Sequence, residues 1–182
     1  MTDITDEQIA KEIVNGNSEL FGELVRRYEQ KLVRYTTYIL QDKSAAYDVV
    51  QDTFIKSFEN LKSFNTERKF SSWIYRIAHN ESINRIKKSG KEIFNVDFDF
   101  LKELMPPDAA PDVEFEKNEI NEILKKSMET LPVKFREVLT LYYLENKSYD
   151  EISDILRISI GTVGTWINRG KAKLKKILQE LY

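Results

Sequence analysis

The chain has 182 residues, no cysteine, and a formal net charge of −2 from 28 Lys and Arg against 30 Asp and Glu. Without cysteine there is no disulfide framework and no thiolate metal site, which suits the cytoplasm. No apolar run approaches the roughly 20 residues that a membrane-spanning helix needs, and the acidic start predicts no signal peptide.

Positive charge is concentrated in two segments, and an acidic stretch separates them. The first segment contains Arg68, Lys69, Arg76, Arg85, Lys87, Lys88 and Lys91. The second contains Arg169, Lys171, Lys173, Lys175 and Lys176. Two basic segments on one chain indicate two contacts with a polyanion, although solvated helix faces would give the same charge pattern.

The first ninety residues predict four helices in succession. A capping-box sequence at Thr5 opens the first helix, and Ser18 is a plausible cap for the second. The third helix is expected to start at Ser44 and the fourth at about Ser71, with a polar loop over residues 62–68 between them. The fourth helix is expected to end near Ser89.

The acidic stretch predicts a linker, because Pro106, Pro107 and Pro111 cannot continue a helix. Beyond it, apolar residues recur at helical spacing up to Pro132 and again over the next ten residues. A short helix over 148–156 and a last helix from Ser159 follow. We therefore predict an all-α fold with two small helical domains, residues 1–90 and 112–182, joined by a flexible acidic linker over 91–111.

Residues 148–171 have the pattern of a helix-turn-helix. The apolar positions that would join its two helices are Ile152, Leu156, Val163 and Ile167. The second helix of such a pair offers its N-terminal residues to base edges, and nearby cations hold phosphates. The DNA contacts predicted on this helix are Thr162, Thr165, Trp166, Arg169, Lys171 and Lys173. A helix pair of this kind also occurs by chance in all-helical proteins.

Three motifs together carry a family resemblance that covers almost the whole chain. Residues 151–171, with Gly161-Thr162-Val163 and Arg169-Gly170-Lys171, resemble region 4 of extracytoplasmic-function (ECF) sigma factors, members of the sigma-70 family. Residues 48–54, with the sequence DVVQDTF, resemble region 2.2 of that family. Residues 70–85, beginning FSSWIYRIAHN, resemble its regions 2.3 and 2.4. The motifs stand in the order and at the spacing of the family.

The resemblance implies a contact with core RNA polymerase through the third helix, on the β′ clamp helices, and a further contact with the β subunit. The residues implied in the clamp contact are Asp48, Gln51, Asp52 and Phe54. Exposed acids and an amide beside an aromatic anchor are reasonable chemistry for a basic coiled coil. The alternatives are core packing for Phe54 and stabilisation of a helix N-terminus for Asp48.

The resemblance also implies that the loop before the fourth helix captures a flipped base of the promoter −10 element. Residues that could bind this strand in the loop and along the helix are Ser63, Asn65, Thr66, Arg68, Lys69, Arg76, Asn80, Asn84, Arg85, Lys87 and Lys88. Trp73 could stack on a base, but its spacing from Ile77 favours the core. The helix-turn-helix would bind the −35 element.

The chain departs from the family pattern at Gly164 and Trp166, where the recognition helix usually carries basic residues. Gly164 costs about 1 kcal/mol of helix propensity relative to alanine. Trp166 could contact thymine methyl groups, the DNA backbone or a regulator. These two residues leave the −35 sequence preference open.

Three other functions compete with a sigma factor. A free-standing regulator would need a dimer interface or a ligand pocket, and it gives no reason for the 48–54 motif. A decoy that sequesters an anti-sigma protein would be expected to lose its basic faces. An enzyme is the weakest alternative, because the sequence lacks a glycine-rich phosphate loop, a nucleophile–base pair and metal-ligand spacing around its lone His79.

We therefore predict no catalytic residue, no metal and no cofactor. The predicted partners are core RNA polymerase and promoter DNA in the cytoplasm, without insertion into a membrane. Proteins that resemble this chain are commonly held by an anti-sigma factor, often membrane-anchored, so such a partner is expected as well.

Overall fold

A computed structural model describes residues 4–90 and 117–180, which form eight α-helices and no β-strand. In the first described range the helices are α1 (Asp6–Val14), α2 (Phe21–Leu40), α3 (Lys43–Glu59) and α4 (Phe70–Lys88). In the second they are α5 (Lys117–Glu129), α6 (Val133–Leu139), α7 (Tyr149–Leu156) and α8 (Ile160–Glu180). A π-helical segment, Thr140–Leu144, continues α6. The predicted all-α fold is confirmed.

Local sequence signals set several of the helix starts, although α2 begins after a 3₁₀ turn over Ser18–Leu20 and without the expected Ser18 cap. Thr5 forms the predicted capping box, in which its hydroxyl accepts from the Gln8 amide at 3.2 Å and its own amide donates to Gln8 Oε1 at 2.9 Å. The third helix starts one residue before the predicted Ser44, because the Asp42 carboxylate accepts from the Ala45 amide at 3.0 Å.

The N-terminal unit buries the apolar faces of α2, α3 and α4 against each other, and α1 covers one end. Its centre is aromatic: Tyr28 and Phe70 meet edge to face at 5.6 Å, and Phe64 lies 5.5 Å from Phe70. These rings fix the loop before α4 to the start of that helix.

The C-terminal unit is built around α8, which α5, α6 and α7 all contact. Gly170 is buried, and a β-carbon at this position would lie 3.1 Å from Leu139 Cδ1 and 3.3 Å from Phe135 Cβ. The missing side chain therefore lets α8 pack closely on α6.

The two units pack against each other, with α4 on α7 and α2 on α6. Arg136 in α6 is buried and donates to the Ile39 carbonyl at the end of α2 at 3.1 Å. Gln41, which follows α2, donates to the Glu129 carbonyl in α5. The predicted linker and its boundaries lie outside the described residues. None of the described helices is long and apolar enough to cross a membrane.

Candidate nucleic-acid interface

The helix-turn-helix has the predicted form. Ser148 caps α7 in a second capping box with Glu151, and Arg157 adopts the left-handed backbone conformation (φ 58°) that ends this helix. The Ser153 hydroxyl donates to the Ile158 carbonyl at 2.6 Å and so fixes the turn. Val163 and Ile167 are buried, which leaves the other side of α8 for a ligand.

The start of α8 is held by its own hydroxyl groups. Ser159 Oγ accepts from the Thr162 amide at 3.1 Å, and the two hydroxyl oxygens are 2.8 Å apart. Thr162 is half-buried, whereas Thr165, Arg169 and Lys171 are exposed. The first turn of α8 is therefore ordered at Thr162, and the exposed Thr165 and Arg169 follow along the same side of the helix.

Trp166 and Lys173 are half-buried and lean toward α6. The Lys134 ammonium lies 5.7 Å from the Trp166 ring centre, and Lys173 Nζ lies 5.9 Å from the Phe135 ring centre. Burial lowers the pKa of Lys134, and the nearby charges of Arg169 and Lys173 lower it further. Sequence reasoning missed Lys134, because a single lysine after Pro132 carries no motif.

Gly164 faces the first helix of the motif. A β-carbon on Gly164 would lie 3.4 Å from the Tyr149 ring of α7, an ordinary contact distance. The glycine is therefore not imposed by crowding, and it brings no charge to the helix surface.

The loop before α4 presents the predicted polar residues to solvent. Ser63, Asn65 and Thr66 are exposed, and a 3₁₀ turn over Leu61–Ser63 orders the start of the loop. Ser63 Oγ donates to the Asn60 carbonyl at 2.7 Å, and Asn65 Oδ1 accepts from the Glu67 amide at 2.9 Å.

A groove of about 270 Å³ lies between this loop, the end of α3 and α4. Its lining residues are Lys56, Asn60, Ser63, Trp73, Ile77, Asn80 and Glu81. Lys56 and Glu81 form an ion pair at 2.7 Å across it. Trp73 packs 5.1 Å from Phe64, so this side chain is both part of the core, as its spacing favoured, and one wall of the groove.

The C-terminal half of α4 has the predicted exposed polar face, formed by Asn80, Asn84, Arg85, Lys87 and Lys88. The cations just before α4 and in its first half are instead paired with carboxylates of α7. Arg76 contacts Asp154 of α7 at 2.5 Å, and Lys69 contacts Glu151 of α7 at 3.2 Å. Arg68 also reaches Asp154, at 3.4 Å.

On α3 the structure separates the four predicted polymerase residues. Asp48, Gln51 and Asp52 are exposed, whereas Phe54 is buried and packs edge to face on Phe21 at 6.3 Å. The core alternative for Phe54 is therefore the one the structure shows.

Asp48 lies beyond the first turn of α3, where the helix dipole has little effect, and it pairs with Arg85 at 3.2 Å. Three large apolar side chains of α3 are exposed, Tyr47, Ile55 and Phe58, and Ile55 is the most accessible of them at 56%. Ile55 follows Gln51 by four residues, so the two share a side of the helix.

Buried carboxylates join the two units, and sequence reasoning did not find them. Glu137 Oε1 in α6 accepts from the Tyr35 hydroxyl at 2.5 Å and lies 2.6 Å from Nδ1 of His79. Burial lowers the pKa of His79, but the charge and hydrogen bond of Glu137 outweigh it, so the pKa is raised. The lone histidine thus contacts a carboxylate of the other unit, and this contact favours its protonated form.

A second buried carboxylate belongs to Glu145, whose side chain is 1% exposed. Arg34 contacts it at 2.7 Å, and the Tyr75 hydroxyl donates to it at 2.5 Å. Burial and the Glu145 charge both raise the pKa of Tyr75, so this hydroxyl stays protonated and able to donate.

Comparison with protein families finds two matches along the chain. A family model for Sigma-70 region 2 matches residues 24–92, and one for Sigma-70, region 4 matches residues 121–174. The first covers α2 to α4, and the second covers the helix-turn-helix.

Relatives that match over nearly their whole length are named as ECF RNA polymerase sigma factors. The chain is 34% identical to the ECF RNA polymerase sigma factor SigW of Bacillus subtilis, with 94% of this chain and 95% of that protein covered. It is 30% identical to the ECF RNA polymerase sigma-E factor of Haemophilus influenzae, with 98% and 97% covered.

Two solved structures have a similar fold. CnrH in complex with the cytosolic domain of CnrY superposes with a TM-score of 0.72 at 24% identity, covering 96% of this chain and 97% of that one. The sigma factor RpoE of Bartonella quintana, in complex with the anti-sigma factor NepR, gives 0.68 at 23% identity, covering 87% and 96%.

Proposed function

The chain belongs to the sigma-70 family as a promoter-recognising sigma factor of the ECF group, and we propose which of its surfaces bind polymerase and each promoter element. The observation that carries the proposal is that two basic surfaces, on α4 and α8, lie in the two matched regions. Run-off transcription on fragmented host DNA with core polymerase tests the promoter recognition that these two surfaces would provide. Transcripts that share a two-part upstream element support the proposal, and none despite polymerase binding would favour the decoy.

For the −35 element, α8 enters the major groove with Thr162 and Thr165 toward base edges. Arg169, Lys171 and Lys173 neutralise phosphates beside the groove. Trp166 packs against α6, where the Lys134 ammonium lies over its ring. It therefore supports α8 and offers one ring edge to thymine methyl groups. Gly164 and Trp166 stand where the recognition helix of the family usually carries basic residues. Base recognition by this helix therefore depends less on charge and on ionic strength.

For the −10 element, the groove bounded by Ser63, Trp73 and Asn80 receives the flipped base. The Trp73 ring offers an apolar wall, and hydroxyl and amide groups can bond the base edge. Asn65 and Thr66 border the pocket in the loop. Arg68, Lys69 and Arg76 hold backbone phosphates on one side, while Asn84, Arg85, Lys87 and Lys88 extend the basic face along α4.

Asn80→Ala tests the pocket, because it removes an amide at the groove without removing charge. We expect weaker binding of a single-stranded −10 oligonucleotide and an unchanged salt dependence. Asn17→Ala, at an exposed position between α1 and α2, removes the same group away from the groove and is the matched control. Unchanged binding by Asn80→Ala would contradict the assignment.

For core polymerase, the contact surface on the β′ clamp helices is formed by Asp48, Gln51 and Asp52. Ile55 takes the role of apolar anchor that Phe54, being buried, does not fill. Asp52→Lys should weaken polymerase binding without changing the binding of isolated DNA. Glu12→Lys, at an exposed position on α1, is the matched charge reversal, and equal losses in both variants would contradict a local contact.

The remaining roles follow from this assignment. The protein acts in the cytoplasm as an initiation factor, has no catalytic site of its own, and also touches the polymerase β subunit. An anti-sigma factor is its regulator, and the RpoE structure of similar fold contains such a partner, NepR. A membrane-anchored regulator would hold it near the membrane without inserting it.

A further inference from the structure

We propose that Glu7 of α1 is a positioning residue for recognition of the −10 strand: it caps the first turn of α4 and so keeps the groove at Ser63, Trp73 and Asn80 in its binding shape. This inference rests on the proposed role of that groove, here called the −10 groove. The first helix of the chain, which has no part in the proposed DNA contacts, then contributes to recognition through the helix that makes them.

The start of α4 lacks a cap of its own. Lys69, the residue before the helix, makes no side-chain hydrogen bond to the first turn, and that turn contains no acidic residue. Amides in the first turn of a helix have no acceptor within the helix, and Phe70, which carries the first of them, is fully buried. Without an acceptor from elsewhere, the Phe70 amide would be a buried donor that lacks a partner.

Glu7 supplies the missing acceptor from a distant part of the chain. Its Oε1 accepts from the Phe70 amide at 2.9 Å, across 63 positions of sequence. A carboxylate at this place satisfies the amide as an N-cap side chain does, and its charge interacts favourably with the helix dipole. The residue at which α4 begins is therefore fixed by α1.

Glu7 is itself held in place by its neighbours. The capping box of Thr5 orders the first turn of α1, in which Glu7 lies. Beside it, Asp6 accepts from Arg27 Nη1 at 2.8 Å and from the Tyr28 hydroxyl, both on α2. Burial and the Asp6 hydrogen bond raise the pKa of Tyr28, so this hydroxyl stays protonated and able to donate. The Glu7 carboxylate thus projects from a turn that is anchored to α2.

The bond at Phe70 acts on the −10 groove through aromatic contacts. The Phe70 ring lies 5.6 Å from the ring of Trp73, one helical turn later, and Phe64 of the loop packs against both. Trp73 is one wall of the groove, and Ser63 belongs to the 3₁₀ turn that α1 also contacts. Loosening the first turn of α4 therefore moves Trp73 relative to Ser63, and the groove loses the shape that a flipped base needs.

Two variants of equal charge and similar length isolate the hydrogen bond. Glu7→Gln keeps an oxygen that can accept from the Phe70 amide, whereas Glu7→Met has none, and the two replacements have similar helix propensity. Both remove one negative charge, which by itself strengthens the attraction of a polyanion. Weaker DNA binding by Glu7→Met than by Glu7→Gln therefore reports the lost acceptor and not the lost charge.

The cap is measured by amide hydrogen exchange in the absence of DNA. The Phe70 amide should exchange at least about fivefold faster in Glu7→Met, the factor to which a typical helix cap corresponds, and close to the original rate in Glu7→Gln. The amide of Val50, buried in α3, should exchange alike in all three proteins and shows that the rest of the fold is unaffected. Equal rates at Phe70 in the two variants would overturn the cap.

Positioning is tested with a single-stranded oligonucleotide that carries the −10 element found by run-off transcription. We expect Glu7→Met to bind it about fivefold more weakly than Glu7→Gln, because the first turn of α4 must then be ordered on binding. The second readout uses the same strand with each base in turn replaced by an abasic site. The abasic position that weakens binding most in the unchanged protein should matter less in Glu7→Met, since only a strand with its base in place needs the ordered groove. A merely structural role lowers all affinities alike, and an unchanged ratio would overturn positioning.

Asn80→Ala separates failure of this inference from failure of the proposed −10 role, because Asn80 lines the groove from α4 itself. If Asn80→Ala weakens strand binding while Glu7→Met and Glu7→Gln bind equally, the groove is right and positioning by Glu7 is wrong. If exchange at Phe70 rises as expected but neither Asn80→Ala nor Glu7→Met changes strand binding, the proposed groove is wrong and the inference falls with it.

Discussion

The two basic surfaces of this protein, on α8 and on α4, look alike in sequence but differ in what surrounds them. On α8, Arg169 and Lys171 are exposed at the surface of the C-terminal unit. On α4, Arg76 is held by Asp154, while Lys87 and Lys88 farther along the helix are exposed. Charge along a sequence thus shows where a polyanion could bind, and tertiary packing decides which cations are available.

The largest effect is expected from breaking the core beneath α8. Ile152→Ala removes a fully buried side chain in the helix-turn-helix and should cost about 2–5 kcal/mol of unfolding free energy. Binding of the −35 duplex should fall with it. Single-strand binding by α4 should be kept, because Ile152 lies in α7 and not in the α4 surface.

Ile160→Ala is the control for this change, since Ile160 belongs to the same motif but is 49% exposed. Chemical denaturation and duplex binding should be nearly unchanged in this variant. Equal destabilisation by both substitutions would mean that the described core is wrong.

The next effect sharpens the comparison between the two surfaces. Arg169→Ala should reduce the slope of log affinity for duplex against log salt by about 0.9, the value for one lost phosphate contact. Arg76→Ala should reduce the single-strand slope by less than the roughly 0.7 expected for one contact, because Asp154 is paired with that cation at 2.5 Å and competes with a phosphate for it.

Fluorescence anisotropy between low and moderate salt measures both slopes. Lys11→Ala, at an exposed position on α1, should change neither of them. A full single-contact loss for Arg76→Ala would show that Asp154 does not compete with DNA.

A smaller effect is expected from pH, through the pair of His79 and Glu137. A group whose pKa is raised on folding adds stability that is complete below its unfolded pKa and is lost as pH rises through the folded value. The pKa of His79 is raised, so unfolding stability should decline as pH rises above the ordinary histidine value of about 6.5.

His79 is the only histidine in the chain, so no other imidazole contributes to this decline. Thermal unfolding of His79→Gln should show a flatter profile over the same range, while keeping a side chain that can donate to Glu137. A profile in the variant as steep as that of the unchanged protein would exclude the pair as the cause.

The smallest effect is expected at Gly164. Alanine there meets only the Tyr149 ring at an ordinary distance and gains helix propensity, so Gly164→Ala should raise unfolding stability by about 0.5–1 kcal/mol. Differential scanning calorimetry measures the shift. A loss of stability would show that the α7–α8 contact is tighter than the structure gives.

Sequence reasoning predicted the features that local chemistry decides. Thr5 and Ser148 begin helices because their hydroxyls cap backbone amides within three residues, and such pairs can be seen in the sequence. The helix-turn-helix was predictable for the same reason, since its contacts join neighbouring turns.

Sequence reasoning failed where partners are distant along the chain. Glu137 and Tyr35 are both polar residues on amphipathic helices, and nothing local shows that they meet in a buried cluster. Phe54 was ambiguous because a single aromatic ring fits a core or an interface equally well, and only its contact with Phe21 decides. Lys134 joins the α8 surface solely through the packing of α6.

The measurement that most directly tests the central claim is site-directed DNA cleavage in the initiation complex. Asn80→Cys and Thr165→Cys, each carrying a tethered cleavage reagent in this cysteine-free chain, are assembled with core polymerase on a promoter identified by run-off transcription. We predict cuts at the −10 element from position 80 and cuts about 25 base pairs farther upstream from position 165. The names of the two elements imply this spacing. Cuts from both positions at one place would contradict separate DNA contacts by the two units.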